Sequence, residues 1–347
     1  MAKVVALLSG GLDSRLSILT VIRQGIEVRA IKFLTPFDPD ISSWSSSSDT
    51  IFAVAREYGF DIEIRQLGEQ FLEMVKNPGH GYGKNMNPCI DCRIMMLKEA
   101  RALMEDIGAN FIVTGEVLGQ RPMSQQKDML YHIDKEAGVK NYVLRPLSAK
   151  LLRITLPEAK GIIDRERLYG FNGRSRKPQM ALAREFGLTE YPAPAGGCLL
   201  TEPNFAHKLK DLLTYDPHAT LRDIELLKIG RHFRLSPWCK IITGRDMNEN
   251  ILLETLCAKD DALLKVEGHG SPVTLLTGKI TEASLMTAAS VCAKYSDAKH
   301  LPFVEVSVLQ NGNPFAIIAE PAEVSLLDQL RIVSPQKIKE MVQGNYY

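Results

Sequence analysis

The sequence predicts an α/β fold, a doubly wound parallel sheet, followed by a smaller C-terminal α+β domain, and three observations carry that reading. From Lys3 to about Arg184, short Val- and Ile-rich runs alternate with stretches at helical spacing, as strands and covering helices do in a parallel sheet. A turn with two adjacent glycines follows the first run, where such sheets keep their ligands. Beyond Arg231 the alternation gives way to short β-like runs around one helix.

The expected strands of the first part are Val4 to Leu8, Val28 to Leu34, Ile62 to Ile64, Phe111 to Val113 and Tyr142 to Leu144. The stretches Leu16 to Ile22, Ile51 to Tyr58, Ile94 to Ile107 and Gln125 to Lys135 read as helices between them. Two long loops interrupt the pattern, Pro36 to Ser48 and Asn77 to Asn87. Pro and Gly punctuation at Tyr191 to Gly197 marks a boundary, and Phe205 to Gly230 reads as two helices. Later strands are expected at Lys240 to Thr243, Leu263 to Val266, Val273 to Leu276, Phe303 to Val308 and Phe315 to Ala319, with a helix near Leu285 to Tyr295. The domain expectation is therefore 1–190, a helical connector 191–230 and a module 231–347.

Composition agrees with this plan. At roughly 150 residues per domain, 347 residues suggest two or three domains, and 45% hydrophobic residues can fill their cores. A formal charge of +1 gives no global attraction to nucleic acid or membrane, so a basic surface must be local. No apolar run approaches the roughly 18 residues that a membrane span needs, and Met1 to Leu8 read as a strand, not a signal, so a cytoplasmic protein without a membrane partner is expected. Six cysteines are too few for a disulfide scaffold, so a close pair points to metal or sulfur chemistry.

The first strand runs into Ser9-Gly10-Gly11-Leu12-Asp13-Ser14 and then a helix. Two glycines let the backbone approach a ligand, and helix-start amides aim unpaired donors at an anion. No Lys-Ser or Lys-Thr follows at Walker spacing, so Ser9 and Ser14 are the expected hydroxyl donors to a pyrophosphate, with Asp13 holding Mg2+ or fixing the loop. The simpler alternative is an ordinary capped strand-to-helix turn.

This string resembles the fingerprint of the PP-loop ATP pyrophosphatases, which have the adenine nucleotide alpha hydrolase-like fold and cleave ATP between its α and β phosphates while adenylating a substrate. The resemblance covers about the first half of the chain and implies adenine contacts at Ile31, Lys32 and Phe33. Thr114-Gly115-Glu116-Val117-Leu118-Gly119-Gln120 with Ser124-Gln125, and Leu144-Arg145-Pro146-Leu147, are similar to segments of the tRNA 4-thiouridine synthases, which adds Gly115 and Gln120 to the expected ATP site. Two departures stand out: two residues precede the first strand, so the synthases' N-terminal RNA-binding portion is expected to be absent, and Ser148-Ala149-Lys150-Leu151 follow the last motif in place of the usual acid and lysine.

Cys89-Ile90-Asp91-Cys92 opens a helix, and Cys198 lies 106 residues beyond Cys92, so only the fold can bring it back. Two thiolates so spaced can share one metal or cluster face. The resemblance implies that Cys89, Cys92 and Cys198 hold a 4Fe-4S cluster with one iron open to a hydrosulfide. A persulfide relay using Cys198 and one of the pair, or a structural zinc, stays open, although zinc normally takes four ligands and His80 and His207 are poorly spaced for it. Cys239, Cys257 and Cys292 stand alone in apolar surroundings and read as core.

From Arg145 to Met180 nine Lys or Arg stand against three carboxylates, with Arg174, Arg176 and Lys177 as the expected RNA contacts and Tyr169 and Phe171 available to stack on a base. A solvated helix face is the plainer account of such a charge run. The module from Arg231 has 12 cations and 13 acids, so composition gives no reason for RNA binding there. Its Gly244 to Asn250 and Asp260 to Val266 strings nonetheless resemble the NFACT-type RNA-binding domain, with Leu263, Leu264 and Lys265 where that family has Trp and His. The combined expectation is an ATP-dependent tRNA sulfurtransferase with tRNA and a sulfide or persulfide donor as partners. Amide-forming chemistry would leave the cysteines unexplained, and a catalytically silent RNA-binding or iron-sulfur protein would not need Ser9, Asp13 and Ser14.

Overall fold

Strands rich in Val, Ile and Ala, apolar on both faces, require cover on both sides, and the chain supplies it. The computed structural model describes residues 2–39, 52–191, 198–336 and 338. It divides into two units, Met1–Leu199 and Leu200–Tyr347. The expected serine-rich loop 42–48, most of the punctuation at 192–197 and residue 51 lie outside the described residues.

In the first unit, strands β1 (Lys3–Leu7), β2 (Glu27–Leu34), β3 (Asp61–Gln66), β4 (Phe111–Val113) and β5 (Val143–Leu144) form one sheet in the order β3-β2-β1-β4-β5. Every neighbouring pair is parallel. Helices α1 (Leu12–Ile22), α2 (52–58), α3 (Glu69–Lys76), α4 (Cys89–Asp106), α5 (Lys127–Glu136), α6 (Leu156–Ala159) and α7 (Lys177–Glu185) surround it. Alternation along β1 divides the core: Val4 and Ala6 pack with Ile18 and Val21 of α1, whereas Val5 and Leu7 pack with Ile94 and Leu97 of α4. Because β1 lies between β2 and β4, chain direction across the sheet reverses there, opening a crevice beyond the carboxyl ends of β1 and β4. The short helix α3, absent from the sequence expectation, follows β3 and buries Phe71, Leu72 and Val75.

The second unit begins with α8 (Pro203–Tyr215) and α9 (Leu221–Lys228). Strands β6 (Arg231–Ser236), β7 (Cys239–Thr243), β8 (Ala262–Val266), β9 (Thr274–Gly278), β10 (Val304–Gln310) and β11 (Asn313–Ala319) then form an antiparallel sheet ordered β11-β10-β8-β9-β7-β6. Helices α10 (Met247–Leu256), α11 (Glu282–Lys294) and α12 (Val324–Leu330) complete it. Cys239 and Cys292 are buried in the core, and Cys257 packs half-buried against a second apolar cluster. The Gly244 to Asn250 string is a structural turn: Asp246 caps α10 by accepting from the Glu249 amide at 3.0 Å, and Asn250 Oδ1 accepts from the Val273 amide at 2.9 Å. Strand β6 and helix α10 escape the sequence reading because the segments RHFRLS and MNENILLETL show neither clean alternation nor a clear helical stripe.

Two lysines of this unit are buried. Lys208 donates to the Leu227 carbonyl, and Lys240 lies on β7 opposite Arg234. Burial lowers both from 10.5 to about 8, with Arg245 and Lys240 adding to the effect at Lys208 and Arg234 at Lys240. The unfolded chain therefore binds more protons between about pH 8 and 10.5, and stability rises with pH through that window. Lys240→Met should stabilise the unit by on the order of 1 kcal/mol at pH 7, with the gain shrinking above pH 10. Calorimetric scans at the two pH values check this, and a variant that melts lower at pH 7 would contradict it.

Candidate active site

Between β1 and α1 the chain turns through Gly10 at φ +84, a conformation that L side chains avoid, and Gly11 caps α1 with no side-chain bond. The first amides of α1 consequently keep their donors for an anion. Ser14 Oγ donates to the Gly11 carbonyl at 2.9 Å, Ser9 Oγ lies 3.2 Å from Ser14 Oγ, and the Gly11 amide donates to Ser9 Oγ at 3.4 Å. The segment after β4 presses on this loop: a Cβ on Gly115 would lie 2.5 Å from the Ser14 nitrogen and 2.6 Å from its Cα. Only glycine fits there. Gln120 Nε2 donates to Asp13 Oδ2 at 2.9 Å, while the buried Asp13 Oδ1 has no hydrogen-bond partner among the described residues. Ser9, Gly10, Gly11, Asp13, Ser14, Gly115 and Gln120 thus come together around one crevice.

Lys32 and Phe33 stand half-buried near the end of β2. Burial lowers Lys32, Asp38 opposes that effect, and Arg15 adds to it. Phe33 packs against the core layer under α4.

Sequence reasoning placed Arg145 in a basic RNA-facing stretch, and the structure corrects this. Its guanidinium is buried, donating to both Asp134 oxygens at 2.8 and 2.9 Å and to Glu116 Oε2 at 2.9 Å. Thr114 Oγ1 also donates to Glu116 Oε2 at 3.0 Å, and Arg93 lies 3.5 Å from Oε1. Burial alone would raise Glu116, but Arg145 and Arg93 hold it below the usual carboxylate range. Ser148, one of the residues replacing the usual acid and lysine, accepts from the Leu118 amide at 2.9 Å and donates to the Phe171 carbonyl at 2.7 Å, so it props the Gln120 segment.

The three cysteines converge at the same end of the sheet. Cys89 and Cys92 start α4, and the Leu199 amide donates to the Phe37 carbonyl at 3.0 Å, seating Cys198 beside the turn that follows β2. Burial pushes the Cys92 thiol up to about 12, with Cys198 and Cys89 adding to the rise and Arg93 opposing it. Burial likewise raises Cys89 against Arg121 and Arg93. Among the described residues no three His, Cys, Asp or Glu side chains stand in closed metal-ligand geometry. The donor set, three thiols with two guanidiniums nearby, suits an anionic sulfur-rich group better than a lone zinc ion. Closing on such a group would require the sulfurs to draw together.

Asp91, between the cysteines, anchors the loop before them. It accepts from the His80 amide at 3.0 Å and meets His80 Nδ1 at 2.9 Å, and His80 Nε2 lies 2.9 Å from His132 Nε2 on α5. No sequence spacing announces this chain, because its members sit on three separate segments.

Arg174 and Lys177 are exposed and Arg176 half-exposed, at the entry to α7. Other cations of the stretch are engaged internally: Lys150 with Glu166 and Arg165 with Glu158. Tyr169 and Phe171 are not open platforms, since their rings lie 5.1 Å apart and pack against the cluster containing Leu147 and Leu182.

Residues 1–151 match the family model described as thiamine biosynthesis protein (ThiI), and residues 230–329 match the model of the NFACT protein RNA binding domain. A probable tRNA sulfurtransferase of Thermococcus kodakarensis is 30% identical over 152 residues, 42% of this chain and 36% of that protein. A tRNA-specific 2-thiouridylase MnmA of Listeria monocytogenes is 21% identical over 99% of this chain and 92% of its own length. The chain spans about a third of the length of the tRNA sulfurtransferases it matches. A solved 4-thiouridine synthetase in complex with RNA and ATP aligns at TM-score 0.38 and 19% identity, over 65% of this chain and 52% of that one. No helix among the described residues is long and apolar enough to cross a membrane.

Two substitutions probe this construction. Gly115→Ala drives a Cβ into the Ser14 backbone and should lower the melting of the first unit while leaving that of the second unchanged, which differential scanning can separate. Arg145→Leu leaves Glu116 and Asp134 buried without their shared cation and should cost about 3–5 kcal/mol in denaturant unfolding of the first unit. A loss below about 1 kcal/mol would show that the pair is not held by that charge.

Proposed function

We propose that this chain is an ATP-dependent tRNA sulfurtransferase that adenylates a uridine carbonyl and replaces its oxygen with sulfur. The observation that carries the reading is the pairing of the Ser9 to Ser14 loop, with an unpartnered Asp13 Oδ1, and three cysteines at one end of the same sheet. The match of residues 1–151 to the ThiI family model supports it.

ATP arrives as its Mg2+ complex, with phosphates on the loop amides, Ser9 and Ser14, and Asp13 Oδ1 facing the cation. Gln120 holds the other carboxylate oxygen and so fixes the direction of Oδ1. Lys32 and Phe33 at the end of β2 border the adenine side. The uridine oxygen attacks the α phosphorus, the bond to pyrophosphate breaks, and the base becomes an adenylate. A hydrosulfide equivalent then adds to the activated carbon, and AMP leaves with the former carbonyl oxygen. The chain's part is positioning and charge neutralisation.

Cys89, Cys92 and Cys198 would hold a 4Fe-4S cluster, which when bound would supply an open iron for a hydrosulfide drawn from sulfide, or from a carrier persulfide whose outer sulfur a thiol reductant releases as sulfide while being oxidised to a disulfide. Arg93 and Arg121 would offset the negative charge of the three thiolates. Arg174, Arg176 and Lys177 form the proposed contact with tRNA phosphates.

Asp13→Asn keeps the shape of the loop and removes its charge, so pyrophosphate release should fall by about 10²-fold or more with metal content unchanged. Unaltered release would remove the nucleotide assignment. Anaerobically purified protein should contain four irons and four sulfides per chain, lost together with thiolation when any of the three cysteines becomes Ser. Colourless active protein needing only two of them would replace the cluster by a persulfide relay.

A further inference from the structure

The crevice beyond β1 and β4 is not the first unit's only concave site. At the β5 edge, between α5 and residues 149–158, lies a cavity of about 310 Å3 that none of the Ser9 to Ser14 or Thr114 to Gln120 residues lines. Its floor includes Asp134 and Arg145, the buried pair already described. Leu152, Ile154 and Tyr131 give it apolar wall, and Ile154 is 61% exposed.

Three cations stand at its mouth. Lys135, Lys140 and Arg153 are exposed, and none forms an ion pair among the described residues. Opposing them is one exposed carboxylate, Asp128, because Asp134 is taken by Arg145 and Glu158 by Arg165. The Arg153 guanidinium lies 4.6 Å from the Tyr131 ring centroid, and the Arg153 amide donates to the Tyr131 hydroxyl at 2.9 Å. Arginine and tyrosine are thereby preassembled as a cation–π pair, whose outer face is of the kind on which a nucleobase stacks. A rim of three cations against one exposed carboxylate takes an anion, and a partly apolar wall with an aromatic ring takes a base.

We propose that this cavity is a second nucleotide-binding site, which holds one nucleotide with its base against Tyr131, Arg153 and Leu152 and its phosphate on Lys135 and Lys140. The nucleotide is either one residue of an RNA strand or a free mononucleotide. The RNA alternative rests on the tRNA reading above, whereas the site itself does not. Through Arg145 the floor joins Glu116, and through Glu116 it joins Arg93, whose field reaches Cys89 and Cys92.

The test uses the full chain with uridine monophosphate and an unmodified tRNA transcript as probes. One variant combines Lys135→Glu, Lys140→Glu and Arg153→Glu; the other, Leu152→Trp, fills the cavity and keeps its charges. Both should weaken binding of at least one probe by roughly ten-fold, the scale of losing one stacked base or a phosphate contact. ATP binding that depends on Asp13 should stay unchanged. Loss for both probes, or for tRNA alone, identifies an RNA residue as the occupant, and loss for the mononucleotide alone identifies a free nucleotide. Unchanged binding of both probes in both variants overturns the site, and so does loss in the charge variant with Leu152→Trp binding normally, since that leaves only surface attraction. Failure of the sulfurtransferase reading would appear separately, as absent pyrophosphate release from the unsubstituted protein.

Discussion

One buried guanidinium organises the first unit. Arg145 follows β5, yet its partners come from the segment after β4 and from α5, so a single side chain joins three pieces of chain at the end where the sheet keeps its functional residues. Burial by itself would lower its pKa, but Glu116 and Asp134 more than offset that, and the cation stays charged. Such a group resists movement because any displacement uncovers two carboxylates in a low-dielectric setting. Glu116 passes the constraint on to Arg93, and from there to the fields around the paired cysteines.

Against that fixed frame the Ser9 to Ser14 loop is set by contact more than by hydrogen bonding. Its internal bonds reach 3.2 and 3.4 Å, while Gly115 brings backbone so close to Ser14 that no side chain could intervene. The result is a loop shaped from outside, with helix amides and one carboxylate oxygen uncommitted. Preorganisation of this kind lets binding energy go to the ligand instead of to ordering the loop.

Much of this was legible in the residues. The five parallel strands lie within a few residues of the apolar runs, because strands buried on both faces leave an unbroken hydrophobic signal. The glycine pair, Asp13 and the motif after β4 read correctly as one neighbourhood because they follow adjacent strands of one sheet edge. What stayed hidden was the sign of function for single charges. Arg145 looked like part of a basic surface, since composition cannot tell an inward guanidinium from an outward one. Ser148 looked like a lost motif residue and is a buried prop. His80, Asp91 and His132 form their chain across three segments, and β6 carries too many polar residues to display a period.

The return of Leu199 to Phe37 has a consequence for biosynthesis. Cys198 is next to last in the first unit, so the Ser9 to Ser14 loop, the paired cysteines and all five strands leave the ribosome before it does. Domains fold largely as they emerge, N-terminal parts first. A nascent chain therefore has its glycine-rich loop and paired cysteines in place well before Cys198 arrives, and the Leu199 to Phe37 contact is among the last of the unit to form. Truncation or stalling shortly before residue 198 would yield a fragment that carries the loop and the cysteine pair without that closing contact, so completion of the unit is written into its last residues.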